Sequence, residues 1–477
     1  MPVNLPLYKK LPAQFESLHI FENIKDLPYP FLLDTGMLVN NLGSHSFIGA
    51  DPFLVMSSKG KHITLIEADK ATTLSGLPLE KLKEMLIRFS MPPQNGIFPF
   101  NGGAVGFFSY DLGRHFEKIP QKSVDDLNTP DLLLGFYDTV IAVDVRTGEA
   151  TIISTGLPER GEAALERART RLKNMENKLL TGPNNSIGNK LFNYNPDKQP
   201  ELIANFTPDE YRRTVQRAID YIYAGDIFQV NMTQRFCTTQ TVDSWEIYKK
   251  LKKINPAPFA AFLSFGSMDI ISASPERFIK VDGRRVETCP IKGTRPRGCT
   301  PEEDDHLRRE LWGSEKDQAE LMMIVDLERN DLGRVCEIGS IKVPELFRLE
   351  EYATVFHLVS TVEGRLLPDK DITDLLTVSF PGGSITGAPK IRAMEIIEEL
   401  EPVRRGVYTG SIGYIGFDGR VDLNIVIRTI IATKGNLYFQ VGGGITADSD
   451  PHKEYLETLD KARALARSLG LEASLGC

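Results

Sequence analysis

The chain is poor in cysteine: Cys237, Cys289, Cys299, Cys336 and Cys477 are scattered through 477 residues. Their odd number and the lack of any C-x-x-C pair exclude a disulfide framework and a structural zinc site of usual spacing. No apolar stretch is long enough to span a bilayer. The start, Met1-Pro2-Val3-Asn4-Leu5-Pro6, lacks the charged and apolar regions of a secretion signal. A reducing cytoplasm is the expected compartment. Basic runs are absent too: 56 basic against 64 acidic residues give a formal charge of −8, which argues against nucleic acid or an anionic membrane as partner.

What is present is a globular composition, 41% hydrophobic and 25% charged, with enough length to bury a large core. The first part reads as short strands, such as Phe31-Leu32-Leu33, Ile63 to Ile66 and Thr139 to Val143, with helical patterns at Leu79–Phe89 and Glu162–Leu180. Thr181 to Pro200 is rich in Asn, Pro, Gly and Lys, and reads as a linker or surface excursion. A region 1–190 and a second region 200–470 follow from it. In the second, Thr207-Pro208-Asp209-Glu210 and Thr300-Pro301-Glu302-Glu303 are helix-opening capping signals. Ser314 is expected to cap a further helix. Ile227–Phe236, Asp269–Lys280 and Arg285–Pro290 read as strands, the last two turning at Asp282-Gly283. A β segment from Ser411 to Gln440 is expected to end at Gly442-Gly443-Gly444, before a last helix from Asp450-Pro451 to Gly470. Strands outnumber crossover helices, so the expected class is α+β with mostly antiparallel sheets.

Several groups could carry chemistry. Asp317 and Glu320 share one helix face, as do Glu454 and Glu457 on another. Four such carboxylates suit an oxygen-bound Mg2+, although the same spacing also suits a solvated acidic face. The loop Pro381–Gly387, including Ser384, offers backbone N–H groups at a helix start, with Lys390 in the first turn. Gly442 to Gly444 stand similarly, and Arg428 lies in an apolar strand pattern; both features also fit simple turns and a surface arginine. Lys292, flanked by Arg295 and Arg297, is a candidate nucleophile, because desolvation and nearby cations free its amine; an exposed strand-end lysine is the plainer reading. Glu276 is a candidate acid or base, or a partner of Arg277 or Arg285. His357 sits among apolar residues, as a buried histidine or a proton carrier.

Taken in order, these blocks resemble the chorismate-utilising enzyme family. The match runs from about Phe206 to Leu469 through Gly225-Asp226-Ile227-Phe228-Gln229-Val230, Ala273-Ser274-Pro275-Glu276-Arg277-Phe278 and Pro290-Ile291-Lys292-Gly293-Thr294-Arg295-Pro296-Arg297-Gly298. It continues through Ile324-Val325-Asp326-Leu327-Glu328-Arg329-Asn330-Asp331, His357-Leu358-Val359-Ser360 and Gly387-Ala388-Pro389-Lys390. The resemblance implies two packed antiparallel sheets with helices outside. It implies Mg2+ on Glu320 and Glu457 with Asp317 and Glu454 near, though the family pattern often has Glu at Asp317. It also implies chorismate held by Gly293, Thr294, Ser384, Lys390, Tyr408, Arg428, Gly442, Gly443 and Gly444.

Within the family, water-adding members resemble one another in a lysine where this chain has Gln229, which cannot remove a proton. Members that form anthranilate resemble one another in an alanine at the place of Lys292. The resemblance therefore implies conversion of chorismate and ammonia to 4-amino-4-deoxychorismate through Lys292, with Glu276 and His357 in the site. No segment resembles a glutaminase, so a separate glutamine amidotransferase partner is expected. Formation of anthranilate, or a non-catalytic amino-acid-binding regulator, are the alternatives. Segments Leu32-Leu33-Asp34 and Asn255-Pro256-Ala257-Pro258-Phe259 resemble those around tryptophan in relatives.

Overall fold

The computed structural model describes residues 6–12, 15–37, 43–68, 70–93, 98–183, 200–352 and 355–475. Most of the expected linker and Cys477 lie outside them. Two sheets of 12 strands each dominate, and every ladder in them is antiparallel. The α+β class expected from sequence is the class observed.

Both sheets draw on both sides of the 184–199 stretch. In the first, Leu7–Lys10, Ala150–Ser154, Thr139–Asp144, His45–Gly49 and Phe31–Asp34 lead into Phe259–Phe265, Met268–Ser274, Thr429–Thr433, Asn436–Ile445 and Gln229–Thr239. In the second, Ile291–Pro296, Val355–Arg365, Arg285–Cys289, Arg277–Asp282, Val421–Asn424 and Ser411–Gly416 lead into Gly103–Phe108 and the early hairpins. The seams are two ladders, Phe31–Asp34 on Phe259–Phe265 and Gly103–Phe108 on Ser411–Gly416.

Burial on both faces explains why so many strands read as unbroken apolar runs. In Thr139–Asp144, Val140 and Ala142 join the core between the sheets, with Phe31, Phe107 and Tyr414. Ile141 and Val143 join a second core under the helices Ser17–Ile24, Gly161–Thr181, Ser244–Ile254 and Pro451–Ser468. A third core lies under Pro78–Arg88, Glu315–Gly333 and Ile372–Ser379 on the other sheet.

Three local expectations are corrected. Gly442 to Gly444 do not end their strand: Asn436–Ile445 runs through them, opposite Asn231, Met232 and Thr233. Cross-strand pairing holds extended backbone that glycine alone would leave free. Asp269–Lys280 is two strands in different sheets, because Ser274-Pro275-Glu276 carries the chain across. Glu276 therefore precedes Arg277–Asp282, which pairs with Arg285–Cys289, whereas the Lys292 strand pairs with Val355–Arg365. Arg428 lies outside any strand, at φ +53° in the crossing between Val421–Asn424 and Thr429–Thr433.

Candidate active site

The site forms where one end of the second sheet meets the glycine-bearing strand of the first. Lys292 sits in Ile291–Pro296, opposite Leu358 in the strand of His357. Facing it is Gly444: a Cβ built there would lie 3.4 Å from Lys292 Nζ and 2.3 Å from Gln229 Nε2. Glycine at 444 is thus what lets the lysine amine and the Gln229 amide approach the strand together. Gln229 is 1% exposed and its Oε1 has no hydrogen-bond partner.

Burial holds the Lys292 amine below its ordinary value, and Lys461 adds to that; Glu320, Glu276 and Glu457 pull the other way. Glu276, 4% exposed, is pushed up to about 7 by burial. The Ser384 hydroxyl, the Lys292 charge and the Ile291 backbone N–H oppose that push. A desolvated amine beside a carboxyl that titrates near neutrality is an arrangement for nucleophilic and acid–base work.

The acidic face read from sequence is brought here by two helices. Ser314 Oγ accepts from Asp317 N at 3.3 Å, starting Glu315–Gly333; Asp450 starts Pro451–Ser468. Burial raises the Glu320 carboxyl, and the charges of Asp317 and Glu457 add to that. Glu454, also raised by burial, takes a 2.7 Å hydrogen bond from Ser449 Oγ. Lys461, one turn beyond Glu457, binds it at 2.5 Å and keeps its carboxyl below the usual range. Lys461 also donates to Gly442 O at 2.8 Å. Among the described residues, no three acidic, His or Cys side chains are gathered as a metal-binding group. The donor chemistry nevertheless fits a hard divalent cation. A Cβ at Gly443 would come within 3.2 Å of both Glu454 Oε2 and Glu457 Oε1, so glycine keeps the space before both carboxylates open.

His357 Nδ1 is 2.9 Å from Thr294 Oγ1. Burial, then Arg428, holds the imidazole down to about 3, with a backbone bond to Gly293 opposing. Gly293, at φ +73°, packs so closely that a Cβ would lie 2.9 Å from the Asp317 side chain. Arg428 donates to Lys461 O at 2.6 Å and interacts with Tyr408 and Glu457. Lys390 is engaged elsewhere: its amine is 2.5 Å from Asp331 Oδ2 and 2.9 Å from Ser379 O. Lys461 was not singled out from sequence, although Glu457 and Lys461 four apart on a helix are a readable ion pair. Glu328, 8% exposed, was missed as a site neighbour too; burial and then Glu276 raise its carboxyl.

Known proteins similar to this chain share one family. A family model described as chorismate binding enzyme matches residues 43–467. Aminodeoxychorismate synthase component 1 of Escherichia coli (strain K12) is 40% identical over 450 residues, 94% of this chain and 95% of that relative. Anthranilate synthase component 1 of Acetivibrio thermocellus is 39% identical over 472 residues, 98% of this chain and 95% of that relative. The crystal structure of anthranilate synthase component I from Streptococcus pneumoniae TIGR4 superposes with a TM-score of 0.77 at 32% identity, covering 90% of this chain and 94% of that one. With the match spanning nearly the whole length and both sheets, this chain belongs to the chorismate-binding enzyme family, as a chorismate-utilising enzyme of the aminodeoxychorismate and anthranilate synthase component I type.

Proposed function

We propose that this chain converts chorismate and ammonia to 4-amino-4-deoxychorismate, through a transient bond between Lys292 and the substrate ring. The observation that carries the reading is the Lys292 amine, desolvated and set beside Glu276. Neutral Lys292 Nζ forms a bond to C2 as the C4–O bond breaks. Glu276 gives its proton to the departing hydroxyl, which leaves as water. Ammonia then bonds to C4, the C2–Nζ bond breaks, and its electron pair returns to lysine. The extra proton on the new amine goes to the Glu276 carboxylate, and the amine occupies the hydroxyl's original face. Covalent catalysis divides one hard substitution into two easier ones.

Arg428, Thr294, Ser384, Tyr408, Gly293 and Gly442 to Gly444 would hold the substrate, a dianion that suits a guanidinium and neutral hydrogen-bond donors. Mg2+ held by Glu320 and Glu457, with Asp317 and Glu454 beside them, would fix and neutralise the ring carboxylate. Gln229 has no basic nitrogen with which to activate water, which favours ammonia. The product would serve p-aminobenzoate and folate synthesis, with ammonia supplied by a separate glutamine amidotransferase in a cytoplasmic heterodimer. Relatives named component 1 support a partner subunit. Excess free ammonia should replace it.

Mass spectrometry of the full chain, treated with chorismate and Mg2+ but no ammonia, tests the reading. The expected adduct on Lys292 has the mass of chorismate less water, and Lys292→Ala forms none. Parent-like turnover by Lys292→Ala in dilute ammonia would sink the mechanism. Anthranilate formation is the second reading, because relatives with that name are as similar. Free pyruvate and fluorescent anthranilate in the same assay would select it.

A cavity of about 150 Å3 between the sheets supports a separate tryptophan site. Leu33, Asp34, Pro258 and Phe259 line it, from both segments singled out in the sequence, with Tyr414 and Arg277.

A further inference from the structure

Beneath the site lies a buried cation whose side-chain hydrogen bonds go to none of the groups assigned to substrate, although its charge acts on Tyr408. Arg405 is 2% exposed. Its guanidinium grips Glu401 with two bonds, Nε to Oε2 at 2.9 Å and Nη2 to Oε1 at 2.7 Å. It lies 4.9 Å over the Tyr110 ring. Its remaining donors reach two backbone carbonyls, Ile385 O at 2.9 Å and Asn231 O at 2.7 Å, and Nη1 also lies 3.5 Å from Thr409 Oγ1. Glu401 Oε1 in turn accepts from Thr233 N at 3.0 Å and Thr233 Oγ1 at 2.8 Å.

Each carbonyl belongs to a segment that sets one reacting group. Ile385 follows Ser384 in the turn Gly383–Ile385, and Ser384 bonds Glu276. Asn231 stands opposite Gly444, against which Lys292 Nζ packs. A planar, always charged fork can grip a carboxylate with two bonds and hold two carbonyls at once; a lysine, with three donors on one nitrogen, cannot make all four bonds. Breaking a buried pair of this kind is costly, so its geometry resists drift.

We propose that Arg405 is a positioning residue for this reaction, fixing Ser384 against Glu276 and Gly444 against Lys292 without touching substrate. The inference rests on the roles given to Lys292 and Glu276 under the proposed function. Its test is the pH dependence of kcat for chorismate consumption, with Mg2+ and excess ammonia. The full-chain variants are Arg405→Lys, Ser384→Ala and the two combined.

Arg405→Lys is expected to lose about tenfold to a hundredfold in kcat, as small misplacements do, with KM changed only a few-fold. Turnover should fall at high pH as Glu276 loses the proton it gives, and this descending limb should move to higher pH, as in Ser384→Ala, because the Ser384 bond opposes the effect of burial. The combined variant should move it no further. If Arg405→Lys does not fold, Glu401→Gln loosens the same guanidinium and should move limb and kcat in the same directions. A folded Arg405→Lys or Glu401→Gln with the parent's kcat and limb overturns the inference. Fully additive limb shifts overturn it as well. Glu276→Gln separates the two readings. Full activity there removes the acid role and this inference together; an inactive Glu276→Gln beside a parent-like Arg405→Lys removes this inference alone.

Discussion

At the scale of single residues, two opposite burials define the chemistry. Burial lowers the Lys292 amine and lifts Glu276 to about 7, so the charged form is disfavoured in both. In the mechanism proposed above, the reactive state has Lys292 neutral and Glu276 protonated. Turnover should therefore rise with pH through the lysine's titration and fall as pH passes about 7, and kcat profiles of the parent and Glu276→Gln check this. His357 makes the third case. Held down to about 3, it stays neutral in the folded chain while the unfolded chain binds a proton near pH 6.5. Its contribution to stability is thus present above about 6.5 and is lost as pH falls toward 3. The stability gap between parent and His357→Gln, from urea unfolding, should narrow by roughly 2 kcal/mol between pH 7 and pH 5. An unchanged gap would mean that the imidazole is charged when folded.

At the scale of elements, the strand Asn436–Ile445 concentrates three different demands on three consecutive glycines. A Cβ at Gly442 would meet Met232 O at 2.1 Å, at Gly443 the two carboxylates at 3.2 Å, and at Gly444 the Gln229 amide at 2.3 Å. Backbone cannot yield as a side-chain end can. Gly442→Ala should therefore cost stability, about 1–3 kcal/mol or more, read by thermal unfolding. Gly443→Ala should raise the Mg2+ concentration needed for half-maximal turnover. Gly444→Ala should lower kcat while unfolding near the parent's temperature. Elements with chemical punctuation were legible in the sequence: the Thr207–Glu210 capping box and the Ser314 cap form as expected, whereas at Thr300 the hydroxyl caps Glu303 N but the Glu303 carboxylate takes Cys299 N instead of closing the expected box. The hairpin at Asp282-Gly283 forms too. The glycine strand was not legible, because a partner more than 200 residues away decides its conformation. Nor was the crossing at Ser274-Pro275-Glu276, where one apolar run serves two sheets. Candidate site residues were legible one by one, whereas the Arg405 staple depends on carbonyls, which carry no sequence signal.

At the scale of the whole molecule, the two seams decide how the chain holds together. Each sheet continues from early strands into late ones across a single ladder, and the core between the sheets mixes Phe31, Phe47 and Phe107 with Leu263, Met268 and Ile431. A fragment ending before the 184–199 stretch would expose these apolar faces and two open strand edges. Residues 1–183 and 200–477, expressed apart, should each fail to give a cooperative unfolding transition, whereas co-expression should recover a complex. The inter-sheet cavity offers a second test of the same seam. Its walls come from Leu33, Asp34 and Phe47 on one side of the chain and from Pro258, Phe259 and Ala261 on the other. Asp34, whose side chain already takes bonds from Ser46, Tyr248 and Lys252, is the group proposed to receive the amino group of tryptophan. A ligand bound there touches both halves and cannot stay bound when either unfolds. Tryptophan at about 100 times its dissociation constant should add about 2.7 kcal/mol to unfolding, seen as one shifted transition rather than two. Asp34→Ala should remove most of the shift, and an unmoved transition in the parent at millimolar tryptophan would rule the site out.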